Sequence, residues 1–332
     1  MNIGLQITKN EKKFQNLLKV LIDQLDHKNT YNFIHIKNEE SLLKICKDLN
    51  ILVCYSLKEN LFSKKLENLE WIHFGAAGIF NSLHQQLLKS KIIVTNAKGI
   101  HATPVSEFVF GAMLYFAKQF QGCTNFMKNR EWIQWDLAKN MMQLSNKKIG
   151  IIGYGKIGRA IGKRAKAFGM KVIATRRLQK KIEISSNLEL IPTSDINYLY
   201  KESDFVVIAC PLTHLTKEMI TLKQLKIMKS SSILINIARG QLIKEKDLIE
   251  ALTNKMIRGA FLDVFSEEPL NNKSKFFDLE NVMLSPHVSG NFPEYQQEMI
   301  IQFANNLNRF HSNKALINRV WACIISVSYK HI

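Results

Sequence analysis

Residues 148–175 read KIGIIGYGKIGRAIGKRAKAFGMKVIAT, and the order of residue types in this stretch decides the fold. An apolar run leads into a turn carrying Gly153, Gly155 and Gly158; a helical pattern follows, and KVIAT closes the stretch as a second apolar run. In such a strand–turn–helix–strand unit the first glycine allows the tight turn, and the second lets backbone approach a pyrophosphate. The third lets the helix pack closely, while the helix N-terminus attracts phosphate charge. The spacing therefore predicts a dinucleotide site formed by Gly153, Tyr154, Gly155, Lys156, Ile157 and Gly158. A glycine triplet alone is weak evidence, and the flanking strands at the right distance strengthen it.

Outward from this unit, apolar and helical segments continue to alternate. Downstream come DFVVIAC, SSILINIA, a helix over 244–254, GAFLDVF and NVMLSPHV. Upstream lie NIGLQI, a polar helix over 11–26, YNFIHI, a helix over 40–49, ILVCYS, WIHFGAAG and KIIVTN. Alternating strands and helices imply parallel sheets wound by helices. The expectation is an α/β chain of two doubly wound parallel-sheet domains. A Rossmann-type dinucleotide-binding domain over 99–288 is inserted into a flavodoxin-like substrate domain formed by 1–98 and 289–332, if the last helix, PEYQQEMIIQFANNLNRF, returns to the N-terminal unit.

Between the two series, ATPVSEFVFGAMLYFAK at 102–118 reads as a long helix with Pro104 near its start, where a missing N–H costs little. It is too apolar for a free surface helix, so it is expected at a domain or subunit interface. The following EWIQW, with Trp132 and Trp135, reads as an arm that continues the contact.

The 332 residues, 46% hydrophobic and 22% charged, suffice for a buried core and exclude a disordered chain. The N-terminus, MNIGLQITKNEKK, has no apolar segment behind a basic start, and no run approaches a membrane span, so a cytoplasmic protein is expected. Cys46, Cys54, Cys123, Cys210 and Cys323 are scattered without a C-x-x-C pair, which points to buried free thiols and to no disulfide framework or metal site. A net charge of +18 would suit a nucleic acid or an anionic membrane. The lysines are spread along the whole chain with no long block of like charge, so neither partner is expected. One local feature stands out: no acidic residue occurs between Ile149 and Lys181.

In doubly wound sheets ligands bind at the carboxyl ends of strands. NIARG places Arg239 at such an end, LDVFSEEPL places Asp263, Glu267 and Glu268 at the next, and LSPHVSG places His287 at a third. Singly, an arginine or histidine there reads equally well as structural. Three strand ends in succession favour chemistry.

These segments resemble the D-isomer-specific 2-hydroxyacid dehydrogenases, through GAAG at 75–78, VTNAKGIHATPVSEF, GYGKIG, ACPLTHLTKEMI, NIARGQLIKEKDLIEAL, LDVFSEEPL and SPHVSG, over essentially the whole chain. The resemblance implies a catalytic set of Arg239, Glu268 and His287, with Asp263 against the nicotinamide carboxamide. It also implies that backbone N–H groups around Ala76, Ala77 and Gly78 hold the substrate carboxylate, and that Pro211, Thr213, Thr216 and Ala238 lie near the cofactor. The chemistry agrees. Hydride reduction of a ketone builds negative charge on oxygen, which asks for a proton donor and a fixed cation for the neighbouring carboxylate. His287 suits the first, with Glu268 favouring its imidazolium and setting its tautomer; Arg239 suits the second through its planar fork. Formate enzymes of similar pattern carry glutamine where Glu268 stands, so 2-keto acid chemistry is expected, with glyoxylate or hydroxypyruvate as substrate.

NAD-binding members end the second strand of the nucleotide fold in an acidic residue for the ribose hydroxyls. Here that position is Arg176, followed by Arg177. A guanidinium can donate to a 2′-phosphate but cannot accept from a hydroxyl, so NADP is expected, with NAD as the alternative cofactor. The family commonly pairs, which together with the apolar helix predicts a homodimer. A nucleotide-sensing transcriptional corepressor is the reading from another class.

Overall fold

The computed structural model describes residues 1–27, 30–59, 68–79 and 82–320. It comprises two compact units, residues 1–100 with the segment from 292 onward, and residues 101–291.

The first unit is a five-stranded sheet of β1 (Asn2–Gln6), β2 (Asn32–His35), β3 (Ile51–Cys54), β4 (Trp71–Phe74) and β5 (Ile93–Asn96), in the order β2-β1-β3-β4-β5. Every pairing is parallel. This is the flavodoxin-like order. Strand β3 is buried on both faces: Ile51 and Val53 join one core cluster, and Leu52 and Cys54 the other, as a period of two requires. On the first face lie helix Glu11–Asp23, which buries Phe14, Leu17 and Leu21, and helix Tyr295–His311, which buries Met299, Ile300, Phe303 and Leu307. Asn10 caps the first of these by accepting from the Lys13 N–H at 2.9 Å. Asn308 ties it to the second, accepting from the Asp26 N–H at 3.1 Å and donating to the Gln24 carbonyl at 2.9 Å. The last helix thus belongs to the N-terminal unit.

The second unit is an eight-stranded sheet. Its strands are β6 (Lys148–Ile152), β7 (Lys171–Thr175), β8 (Glu183–Ser185), β9 (Leu188–Ile191), β10 (Phe205–Ile208), β11 (Ile233–Asn236), β12 (Gly259–Leu262) and β13 (Val282–Leu284). They run in the order β13-β12-β11-β10-β6-β7-β9-β8. All neighbours are parallel except β8 with β9, an edge hairpin turned through Asn187 at φ 62°. The chain builds from β6 outward through β7 to β9, then crosses back to lay β10 on the other side of β6. The switch point therefore falls at the carboxyl ends of β6 and β10, where a doubly wound sheet opens its crevice.

Helix Ala102–Ala117 puts its apolar excess into this unit's own core. Val105, Val109, Phe110, Met113 and Phe116 are buried with Ile149, Ile161, Ala165 and Phe205. Each such large side chain removed from water contributes about 1.5–3 kcal/mol. Thr103, Glu107 and Gly111 remain on its exposed side. Beyond it, helices Phe120–Asn129 and Gln134–Asn140 carry Met127, Trp132 and Trp135 in the turn and helices, with exposures of 74%, 79% and 73%. No helix of the described residues is long and apolar enough to cross a membrane. Cys46 and Cys54 are buried, Cys123 and Cys210 half-buried, and all four are free thiols; Cys323 lies outside the described residues.

Candidate active site

The glycine turn sits at the switch point. Gly153 follows β6 at φ 102°, in the region that L side chains rarely adopt, and a Cβ there would lie 2.7 Å from the Cys210 nitrogen in the segment after β10. A Cβ on Gly158 would collide with the Gly153 carbonyl oxygen, so the absence of one lets helix Lys156–Ala167 close onto the turn. At Gly155 a Cβ would meet nothing within 4 Å, and this residue, the helix N-cap, supplies no side-chain cap to the first-turn N–H groups. Open space over an uncapped helix N-terminus fits a pyrophosphate.

Thr175, the last residue of β7, holds the turn from beside it. Its hydroxyl accepts from the Gly153 N–H at 3.3 Å and its carbonyl from the Tyr154 N–H at 2.7 Å. The half-buried Tyr154 phenol packs over Gly162, and burial raises its pKa. Lys156 and Ile157 open the helix, both partly buried. Arg176 and Arg177 follow Thr175 directly and are exposed, and among the described residues no carboxylate pairs with either.

The loop after β10 is built on Thr216. Its hydroxyl donates to the Pro211 carbonyl at 2.8 Å and accepts from the Thr213 N–H at 2.8 Å. After β11, the buried Asn236 accepts from the Ala238 N–H at 3.1 Å and donates to the Arg239 carbonyl at 2.9 Å, so one side chain shapes the turn that presents Arg239. The exposed Arg239 guanidinium donates to the Ala238 carbonyl at 2.6 Å. Gly240 lies so close to the Phe265–Ser266 backbone that a Cβ would collide with it, which brings the loops after β11 and β12 together.

Glu268 and His287 meet across these loops. His287 Nδ1 lies 2.7 Å from Glu268 Oε2, and Glu268 Oε1 accepts from the Phe265 N–H at 3.0 Å. Burial by itself raises the Glu268 pKa. The hydrogen bonds from His287 and Phe265, with the charges of His287 and Arg239, outweigh it and hold the carboxyl below its ordinary value. Asp263 follows β12 with no solvent exposure, and its carboxylate accepts from the Ser285 hydroxyl and from the N–H groups of Val288 and Ser289. By contrast His73, buried on β4, has its pKa pushed down to about 3 by burial and stays neutral among Thr95, Trp71 and Phe303.

In the first unit Ala76, Ala77 and Gly78 follow β4. Their turn directs carbonyls inward: that of Gly75 accepts from the Tyr295 hydroxyl at 2.6 Å, that of Ala76 from the Ala97 N–H at 3.2 Å, and that of Ala77 from the Asn96 side chain at 2.9 Å. Among the described residues nothing accepts from the N–H groups of Ala76, Ala77 or Gly78. Successive unpaired amides of this kind suit an anion. Burial raises the pKa of Tyr295 to about 12.

The residues expected from sequence thus fall at the carboxyl ends of β6, β7, β10, β11, β12 and β13 in one unit and of β4 in the other. Thr175, Asn236, Gly240 and Ser285 were not among them. Their one visible sign is a small or polar residue closing an apolar strand. Among the described residues no group of three or more His, Cys, Asp and Glu side chains is placed to hold a metal.

A family model described as "D-isomer specific 2-hydroxyacid dehydrogenase, NAD binding domain" matches residues 110–289. The chain is 36% identical over 282 residues to a glyoxylate reductase of Pyrococcus furiosus, covering 82% of each protein. It is 36% identical over 263 residues to a D-3-phosphoglycerate dehydrogenase of Methanocaldococcus jannaschii, covering 78% of this chain and 49% of that one. Among solved structures, a D-isomer specific 2-hydroxyacid dehydrogenase family protein from Aeromonas salmonicida superposes with a TM-score of 0.80 at 25% identity, over 97% of this chain and 99% of the other. Two parallel sheets, a glycine turn at the switch point of one of them and a match that runs through the loops bearing Arg239, Glu268 and His287 lead to one assignment: the chain belongs to the D-isomer-specific 2-hydroxyacid dehydrogenases, a family of nicotinamide-dependent oxidoreductases.

Proposed function

We propose that the protein reduces a small 2-keto acid, glyoxylate or hydroxypyruvate, to the corresponding 2-hydroxy acid of D configuration where the product is chiral, with NADPH as the reductant. The observation that carries this reading is the 2.7 Å contact between His287 and Glu268 in the unit that also bears the glycine turn. When bound, the reduced nicotinamide supplies a hydride. Addition of that hydride leaves negative charge on the ketone oxygen, and His287 hands it a proton. Glu268 holds Nδ1 in its protonated form, which leaves Nε2 as the donating nitrogen. Arg239 pairs with the substrate carboxylate through its fork, and the amides of Ala76, Ala77 and Gly78 bind the same anion.

For the cofactor, Gly153 to Gly158 take the pyrophosphate, and Pro211, Thr216, Ala238 and Asp263 lie toward the nicotinamide end. Arg176 and Arg177, exposed and without a carboxylate partner among the described residues, favour a 2′-phosphate. On this reading residues 1–98 with 289–332 form the substrate domain and 99–288 the dinucleotide domain. Exposed Met127, Trp132 and Trp135 support a homodimer through helix Ala102–Ala117 and the arm that follows it. The alternative of a nucleotide-sensing regulator finds no support in the relatives named above.

The test is a panel of 2-keto acids assayed by loss of reduced-cofactor absorbance. Turnover should be highest with glyoxylate or hydroxypyruvate. A panel with no turnover would refute the reading.

A further inference from the structure

We propose that Asp263 is the positioning residue of His287, holding through its carboxylate and its own carbonyl the loop that turns the imidazole toward Glu268. This rests on His287 being the proton donor and goes beyond a contact between Asp263 and the cofactor.

Four bonds converge on this residue. Its Oδ1 accepts from the Ser285 hydroxyl at 2.5 Å and from the Val288 N–H at 2.9 Å, and its Oδ2 accepts from the Ser289 N–H at 3.1 Å. Its carbonyl accepts from the N–H of His287 itself at 2.9 Å. Three consecutive amides, 287 to 289, therefore point at Asp263. Here they do so with the chain turned back at His287, which sits at φ 53°, in the left-handed region. A residue with a Cβ stays there only when its surroundings over-determine it, and the groups doing so belong to Asp263. In that conformation Nδ1 reaches Glu268. A carboxylate offers about four acceptor sites, and the protein's own donors fill three of these. Those donors are also what allows an acid with no solvent exposure to remain in the core.

Asp263→Asn keeps the size but aims an amide N–H at the N–H of Val288 or Ser289, so the loop cannot close on it as before. Turnover should fall about 10²-fold, the loss expected when a catalytic group is displaced by about 1 Å. The dissociation constant of the dinucleotide, read by its fluorescence on binding, should change by less than about threefold. In substrate-free protein carrying ¹⁵N-histidine, the His287 ring signals should shift in the same direction as in Glu268→Gln. Ser285→Ala, which removes one of the four donors, should shift them less and cut turnover by a smaller factor. The ring signals need no substrate, so a chain without keto-acid turnover would defeat the proposed function and leave this test standing. Weakened dinucleotide binding in Asp263→Asn with unchanged His287 signals would overturn the proposal in favour of a cofactor contact. If that variant fails to fold, unchanged His287 signals in Ser285→Ala overturn it as well.

Discussion

Glu268 Oε2 and His287 Nδ1 lie 2.7 Å apart across 19 residues of chain, while the other carboxylate oxygen of Glu268 is fixed by the Phe265 N–H. One partner therefore orients the ring, and a second orients that partner. His287→Ala removes the proton donor and should lower turnover by about 10²–10⁴-fold, the range for a lost general acid. Keto-acid affinity should change far less. Steady-state kinetics check this, and near-native turnover would remove His287 from the chemistry.

The pH profile follows from the same pair. Glu268 is held below its ordinary pKa, so whatever stability it adds is present above that ordinary value and is lost as pH falls through the lowered one. Reduction needs the carboxylate ionised and the imidazole protonated. In Glu268→Gln the alkaline limb of reductive activity should move to lower pH, because the charge favouring imidazolium is gone. The acid limb set by Glu268 itself should disappear. An unchanged profile would show that the carboxylate does not act through His287.

Arg239 is exposed at the end of a turn shaped by Asn236, which suits a group that must reach a ligand. Arg239→Lys replaces a fork by a point charge and should raise the KM for the keto acid and lower turnover. Kinetics with native-like values for both would contradict the assignment.

Two glycines should respond in opposite ways. A Cβ at Gly240 would meet the Phe265 and Ser266 backbone, so Gly240→Ala should destabilise the protein by about 1–3 kcal/mol in chemical denaturation. A Cβ at Gly155 would meet nothing in the protein, so Gly155→Ala should change stability by no more than about 0.5 kcal/mol. It should instead weaken dinucleotide binding in a titration. Unchanged binding would place the pyrophosphate elsewhere.

Cofactor choice is decided by exposed charge. One phosphate contact from Arg176, at about 1.5–3 kcal/mol, corresponds to a preference for NADPH of about 10- to 150-fold. Arg176→Asp should reverse most of it with turnover largely kept. Equal or better efficiency of the native protein with NADH would refute the preference.

Much of this arrangement was legible in the sequence because it depends on local rules. The period-two burial of β3, the glycine turn after β6 and the placing of Arg239, Glu268 and His287 just beyond strands all follow from residue order. What was not legible depends on contacts distant in the chain. Asp263 gathers donors from Ser285, Val288 and Ser289, more than twenty residues later, and Thr175 reaches back to Gly153. The edge hairpin of β8 and β9 was missed because EIS and LELI are short and β8 is exposed throughout, which leaves little hydrophobic pattern. Helix Ala102–Ala117 was read as interface material from its apolarity, yet that apolarity is used within its own unit against Ile161 and Ala165.

The most direct measurement is to incubate the purified protein with NADPH and hydroxypyruvate, follow the absorbance, and resolve the product on a chiral column. Hydride transfer with His287 as donor in a protein of this family predicts cofactor oxidation matched by D-glycerate. Formation of the L enantiomer, or no oxidation with this substrate or any other small 2-keto acid, would contradict it.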